Sequence, residues 1–428
     1  MQAGQQREGS LRVLFINDTA RNGGPGRSLH AILRHLDPQR VHRTVLLPRP
    51  GAISDLLSSD GAADEVIFEP RWVENVIEPW SREMARADFG ASWPLRVVRA
   101  VANSGRMAGA LARTIGRARD GRYGLIYCNG TAANLLGGLV AAFARIPALW
   151  HVRYTSLPAV AEPLHRRLAT AEMVRRIVCV SAAAARVVDD DAAAKTIVIN
   201  NGVDTDEFAP GGGGPDAAPR LRAELGLDDD AVIFGSHGRV LRRKGYVELV
   251  RAACVALGRM SRDERRRCHF VVVGDTPQDF HPDHVDECRH LAAQLGIAHA
   301  VSFLGFRTDV KPYLDAWDVA VVPSVYADPL PRAVIESMAF GKPVIAYDAG
   351  GVREMLSAAE GMLLPTPGDV GELAGAILRY LRDPALRDRQ GRVARQRAVE
   401  TFGARAHAAR IEREILSAGR PADGERRR

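Results

Sequence analysis

The sequence predicts an α/β protein made of two Rossmann-like domains, and three observations carry that expectation. Short β-branched runs alternate with longer amphipathic stretches from end to end, the pattern of parallel sheets covered by helices. The chain has 428 residues, too many for one ordinary core, so two domains of about 200 residues each are expected. Between the halves stands "APGGGGPDAAP", Ala209 to Pro219. Four consecutive glycines flanked by prolines hold neither helix nor strand, so a linker is read at 209–215.

The strand candidates follow in order. In the first half they are "LRVLFI" (11–16), "RTVLL" (43–47), "EVIF" (65–68), "GLIYC" (124–128), "ALWHV" (148–152), "RIVCV" (176–180) and "TIVIN" (196–200). In the second half they are "AVIFGS" (231–236), "HFVVVG" (269–274), "AVSFL" (300–304), "DVAVV" (318–322), "PVIAY" (343–347) and "GMLLP" (361–365). The domains are therefore read as 1–208 and 216–400, with a last helix near 403–417 and a frayed tail at 419–428. Two such domains facing each other across a cleft would bring the carboxyl ends of both sheets to one ligand.

Composition narrows the class. Apolar content of 46% and charged content of 25% are ordinary globular values. The opening "MQAGQQREGSLR" lacks the apolar stretch of a secretion signal. The longest apolar run, Leu135 to Ala144, is only about half a membrane span. Five cysteines at 128, 179, 254, 268 and 288 include no C-x-x-C pair. Neither a disulfide framework nor a zinc site is suggested, and a reducing cytoplasm is expected. The "DDD" runs at 189–191 and 228–230 read as solvated carboxylates, and no metal is expected.

The net charge is +7. Arg99, Arg106, Arg113 and Arg117 form a stripe on one helix face, and the segment Arg379 to Arg413 is also arginine-rich. The plainer reading is two solvated helix faces; the sharper one is attraction to an anionic membrane or a phosphate-bearing acceptor. No basic ribbon interleaved with aromatics points to nucleic acid.

Three stretches carry candidate chemistry. After the first strand, "NDTARNGGPGRSLHAIL" places Gly23, Gly24 and Gly26 ahead of a helix expected near Ser28. Such a loop lets backbone N–H groups approach an anion. It is neither a dinucleotide fingerprint, since Leu29 stands at the third glycine position, nor a Walker loop. The second half opens on "FGSHGRVLRRKGYVELVRA", which delivers Gly238 and Arg239 at a strand end and Lys244 before a helix. Two cations beside glycine backbone suit a pyrophosphate; surface charge is the plainer alternative. The third stretch is "VYADPLPRAVIESMAFGKPVIAYDAGG", Val325 to Gly351. Its two acids eight residues apart and its Gly-Gly pair exceed what a core helix and strand require. For Asp328 alone, a cap or turn role competes.

Taken together the chain resembles the retaining glycosyltransferases of family 4, which have the GT-B fold. The matching pieces are "NGGPGRSL" (22–29), "WHVRYTSLP" (150–158), "CVSAAAARVV" (179–188), "NNGVDTDEF" (200–208), "GRVLRRKGYVELV" (238–250), "FLGFRTDVKPYL" (303–314) and the 325–351 stretch. The family signature is Glu, seven residues, Glu, then a Gly-x-Pro strand and a Gly-Gly turn. Here Glu336 is the second acid and Asp328 stands where the first glutamate is usual.

The resemblance implies sugar transfer from a nucleoside diphosphate sugar to an acceptor hydroxyl, with retention and without metal or cofactor. A UDP-sugar is slightly favoured over a GDP-sugar. Glu336 would bond the ribose hydroxyls, and Asp328, shorter than glutamate by one C–C bond of roughly 1.5 Å, would sit near the donor sugar. Arg239 and Lys244 would stabilise the departing phosphate, with Gly238, Leu330 and Pro331 also at the donor. His151 would lie beside the donor sugar, orienting a sugar hydroxyl or the acceptor, and Arg153 would face the acceptor or a phosphate. The loops "GDTP" (274–277) and "GFRTD" (305–309), with Arg307, would surround the nucleobase. The last helix would pack back on the first domain. The segment 71–122 is poorly matched to the family pattern, and its Trp72, Trp80, Phe89 and Trp93, with the arginine stripe, would line an acceptor site or rest on a membrane at its cytoplasmic face. Two alternatives stand beside this: a GT-B protein that binds a nucleotide sugar with little transfer, and a nucleotide-dependent oxidoreductase. A phosphorylase of similar fold is weaker, because no lysine is placed for its cofactor.

Overall fold

The computed structural model describes residues 10–21, 23–72, 93–277 and 283–419, with the side chains of all of these except 93–101. Trp80 and Phe89 therefore lie outside the described residues, as does the side chain of Trp93. The chain forms two compact units. The first takes the described residues up to Gly202 and returns from Ala404 onward; the second runs from Val203 to Gly403.

The first unit holds a seven-stranded sheet: β1 (Leu11–Asn17), β2 (Val41–Leu47), β3 (Glu65–Phe68), β4 (Leu125–Asn129), β5 (Ala148–Val152), β6 (Val174–Cys179) and β7 (Thr196–Val198). The second holds six strands: β8 (Val232–His237), β9 (Cys268–Val273), β10 (Val301–Gly305), β11 (Val319–Val322), β12 (Val344–Tyr347) and β13 (Gly361–Leu364). Their orders are β3-β2-β1-β4-β5-β6-β7 and β10-β9-β8-β11-β12-β13, and every ladder is parallel. Each expected strand is present. Their near-continuous apolar sequences follow from burial on both faces. In both sheets the order reverses beside the first strand of the unit, between β1 and β4 and between β8 and β11. Crevices outside the carboxyl ends of such strands are where open parallel sheets bind ligands.

The last helix, Ala404–Ala418, belongs to the first unit. Its Ile411 and Ile415 enter the same core as Leu29, Ile32 and Leu33 of the helix Gly24–His35. Each buried isoleucine contributes about 1.5–3 kcal/mol of transfer free energy. Glu412 fastens this helix, accepting from the Asp37 backbone N–H and from Arg40, both at 2.8 Å. In the second unit Phe234 and Phe270 stack at 5.4 Å under the helices Tyr246–Gly258 and Val370–Arg382.

Two expectations change. The tetraglycine run is not a free connector: it lies inside the second unit, and Gly211 and Gly213 donate backbone N–H bonds of 3.1 Å to the two carboxylate oxygens of Asp315. The absence of side chains lets the turn sit on the helix Lys311–Ala316. The chain instead passes between the units at Gly202–Val203 and at Gly403–Ala404.

On the helix Trp93–Asp120, Arg106, Arg113 and Arg117 of the arginine stripe are not simply solvated, and the side chain of Arg99 lies outside the described residues. Arg113 pairs with the fully buried Glu69, Arg117 donates to Phe68 O at 3.0 Å, and Arg106 donates to Pro70 O at 3.2 Å. In the second arginine-rich segment, Arg382 meets Glu264 at 2.7 Å and Arg397 meets Glu360 at 3.2 Å, while Arg395 donates to Ala339 O at 2.7 Å and Thr205 O at 2.9 Å. A guanidinium carries five donors in a planar fork, and here those donors tie elements together.

The "DDD" runs are solvated as read, all exposed except the half-buried Asp189. Asp189 caps the short helix Asp190–Lys195 and pairs with Arg166 at 2.5 Å, and Asp230 pairs with Arg267 at 2.9 Å.

Candidate active site

In the second unit, β8 ends at His237, followed by Gly238, Arg239 and the single turn Arg242–Lys244. Gly245 then caps the helix Tyr246–Gly258 at φ 75°, and a Cβ there would overlap Pro323 O. That close approach draws the Lys244 turn against the segment after β11. Lys244 Nζ forms an ion pair with Asp328 Oδ2 and stands 5.3 Å from the Tyr326 ring centre. Arg243 lies over the same ring at 5.2 Å. Burial acts to lower the Lys244 pKa, but the Asp328 carboxylate, the Tyr326 hydroxyl and the hydrogen bond to Asp328 carry it above the ordinary lysine value. The ammonium stays charged.

Asp328 is not a helix cap. The helix Arg332–Ala339 is capped by Pro331 without a side-chain bond. Asp328 instead anchors the glycine pair: its carbonyl accepts from Gly351 N–H at 2.8 Å. Gly350 lies at φ 66°, where an added Cβ would overlap the same carbonyl. Asp328 and the paired glycines thus form one turn.

Glu336 lies on the helix that follows, Arg332–Ala339. Its Oε2 meets His237 Nε2 at 2.8 Å, and its Oε1 accepts from Arg332 at 2.9 and 3.0 Å. The His237 ring is 5.8 Å from Trp317, whose indole packs where a side chain on Gly235 would stand. Glu336 is thus held by donors on both of its carboxylate oxygens. Leu330 is buried beside this turn, and Arg239 is exposed at its rim. The loops 274–277 and 305–309 meet, with Gly274 N–H donating to Gly305 O at 2.9 Å, and Arg307 donates to Tyr313 OH at 2.7 Å.

The first unit presents a different cluster. The helix after β1 begins at Gly24, earlier than expected, with Gly23 as its cap. Gly24 and Gly26 are within its first turn, and Gly26 leaves room for Ile53, which a Cβ would meet at 2.6 Å. Asn129, at the end of β4, donates to Asn17 at 2.6 Å and to Pro25 O at 3.2 Å. Arg153 donates to Asn129 and to Asn201, both at 2.6 Å, and to His151 Nδ1 at 3.2 Å. Tyr127 OH also bonds His151 Nδ1. Burial first, then the Arg153 charge and His407, hold the His151 pKa well below the ordinary imidazole value. His151 is fully buried and its Nε2 has no hydrogen-bond partner among the described residues. Trp72 does not line an opening; it is 3% exposed and part of the interior.

Sequence reading missed His237, Arg332 and Tyr326 in the second unit, and Asn17, Tyr127, Asn129 and Asn201 in the first. Some signal was available. His237 directly precedes Gly238, and Arg332 lies four residues before Glu336 on one helix face. Among the described residues no group of three histidine, cysteine or acidic side chains is arranged to hold a metal ion. Nor is any described helix long and apolar enough to cross a membrane.

Two family models match the chain, one described as Glycosyltransferase Family 4 over residues 22–207 and one as Glycosyl transferases group 1 over residues 218–397. The 2-deoxystreptamine glucosyltransferase of Streptomyces kanamyceticus is 31% identical over 192 residues, 44% of this chain and 46% of that protein. The lipopolysaccharide core biosynthesis glycosyltransferase LpsD of Rhizobium meliloti is 32% identical over 173 residues, 40% of this chain and 46% of that protein. The matches span about half the length of these curated relatives. Among solved structures, Anabaena Alr3699/HepE in complex with UDP and glucose superposes with a TM-score of 0.77 at 25% identity, covering 95% of this chain and 100% of that one. With parallel sheets of this order in both units and matching models over both, the chain belongs to the family 4 glycosyltransferases of GT-B fold.

Proposed function

We propose that this chain transfers a hexose or N-acetylhexosamine from a nucleoside diphosphate sugar to an acceptor hydroxyl, with retention and without a metal or other cofactor. The observation that carries it is the second-unit cluster in which Lys244, Asp328 and Tyr326 stand near the glycine turn, with Glu336 fixed by His237 and Arg332. A UDP-sugar is the preferred donor, supported by the likeness to a protein solved with UDP and glucose.

In this reading Glu336 accepts from the ribose hydroxyls. Lys244 and Arg239 face the diphosphate, with Gly238 backbone beside it. The bond from the anomeric carbon to the phosphate oxygen breaks while the bond to the acceptor oxygen forms on the same face. The phosphate oxygen takes the acceptor proton. Charge develops on that phosphate as it leaves, so a fixed ammonium and guanidinium stabilise the transition state more than the ground state. Asp328, tied to Lys244, serves as the ammonium's counter-charge until the diphosphate arrives, and its freed carboxylate then turns to the donor sugar. His151 serves the sugar, and Arg153 the acceptor side. The acceptor is a hydroxyl of a glycan, a lipid-linked precursor or a small molecule.

Incubation with UDP- and GDP-sugars, following nucleoside diphosphate release and the anomeric configuration of product by proton NMR, tests this. A retained configuration with one donor class is the expected result. Nucleotide binding without release, over a broad panel of hydroxyl acceptors, would favour the second reading, a nucleotide-sugar binding protein. Its motive is the aspartate at 328, whose carboxylate is already engaged by Lys244.

A further inference from the structure

We infer that Tyr127 and Arg153 lock His151 in one neutral form, with the proton on Nε2, and that Tyr127 is thereby a positioning residue for sugar transfer. A guanidinium only donates. Arg153 donates to His151 Nδ1 at 3.2 Å, and its charge acts on the nearby Tyr127 hydroxyl. Nδ1 therefore presents its lone pair, and the Tyr127 hydroxyl that also meets Nδ1 donates its proton there. Both neighbours of Nδ1 are then donors, so Nδ1 is the acceptor nitrogen. In a neutral imidazole the ring proton must then be on Nε2.

The surroundings hold this arrangement still. Burial raises the Tyr127 pKa, so the phenol keeps its proton. Its ring is wedged between Phe15 at 5.0 Å and His151 at 5.8 Å. Arg153 is itself fixed by Asn129 and Asn201, both at 2.6 Å. Against this, His151 Nε2 has no acceptor among the described residues. A buried donor left without a partner is costly, and one whose ring is fixed by a phenol and a guanidinium is set to donate to an arriving oxygen. A sugar hydroxyl oxygen is such a group. The account therefore rests on the proposed placement of His151 at the donor sugar, although the tautomer itself does not.

Nitrogen-15 NMR of the histidine-labelled full chain tests the inference, with His151→Gln identifying the signal. The expected spectrum at neutral pH has a protonated Nε2 and an unprotonated Nδ1, persisting well below pH 6.5. In Tyr127→Phe, which keeps the ring, Nδ1 should shift and kcat should fall about tenfold, the worth of one hydrogen bond of roughly 1.4 kcal/mol, with KM for the nucleotide sugar little changed. A proton on Nδ1, or a doubly protonated ring at neutral pH, would overturn the lock, and this needs no variant to fold. Unchanged His151 signals and kcat in Tyr127→Phe would remove Tyr127 from the reaction. If the Nε2 proton is present but saturation with the nucleotide sugar leaves it undisturbed, the tautomer stands and the placement of His151 at the sugar falls.

Discussion

The two units use the same topology to build opposite kinds of site. At the carboxyl ends of β8 and β11 the cluster is ionic: Lys244 against Asp328, and His237 and Arg332 on Glu336. At the corresponding ends of β1 and β4 it is mostly uncharged: Asn17, Asn129, Asn201, Tyr127 and a neutral His151, with Arg153 as the charged member. The difference is chemical. An ion-paired cluster suits a ligand that brings its own charge, because a diphosphate can exchange with a carboxylate as the ammonium's partner. A lattice of amides and an imidazole suits hydroxyls, which need directed donors and acceptors more than charge.

The sharpest break in that comparison is Lys244→Ala. It removes the ammonium from the ionic site, and turnover should fall by about 100-fold or more. Near-normal turnover in a steady-state assay would take Lys244 out of the reaction. Next is Glu336→Ala, which should weaken nucleoside diphosphate affinity by about 10- to 100-fold, the range for hydrogen bonds to a charged group. Calorimetric titration reads this directly, and unchanged affinity would defeat the ribose assignment. A smaller effect is expected from His237→Ala, about 3- to 10-fold on the same affinity, since Arg332 still holds one oxygen of Glu336. Equal losses in the two variants would mean that His237 contacts the nucleotide itself.

The mildest test asks where the two units behave alike. His165 in the first unit, bonded to Tyr154 at 2.8 Å, and His269 in the second, bonded to Ser302 at 2.9 Å, are each lowered by burial to about 4. The unfolded chain protonates these imidazoles near pH 6.5, whereas the folded units keep them neutral to about 4. The unfolded state binds more protons in that window, so stability falls as pH drops from 6.5 toward 4. Melting temperature measured across that range should decline for the wild type, and less for His165→Gln. A flat profile would contradict the burial argument.

Much of this architecture was legible in the residues. All thirteen strands of the described residues could be read, because strands buried on both faces are short β-branched runs whose signal is local. The pairing of Asp328 with the Gly350–Gly351 turn was also visible as a constellation needing explanation. The partners of those residues were not. Lys244 and Asp328 are 84 positions apart, His237 and Glu336 are 99 apart, and Asn17 and Asn129 are 112 apart. Only the sheet order brings them together. The tetraglycine misled because composition reports local freedom, whereas Asp315, some hundred residues on, supplies the anchor. The arginine stripe misled likewise: helix periodicity gives the face, and Glu69 on a distant segment decides what the face meets.

The central claim is that the ionic cluster of the second unit holds a nucleoside diphosphate. It is tested most directly by calorimetric titration of UDP, GDP and NAD into the wild-type chain and into Lys244→Ala. Saturable binding of one nucleoside diphosphate, UDP foremost, with NAD silent and the variant clearly weakened, is the expected result. Binding of NAD alone, or of neither diphosphate, would contradict it.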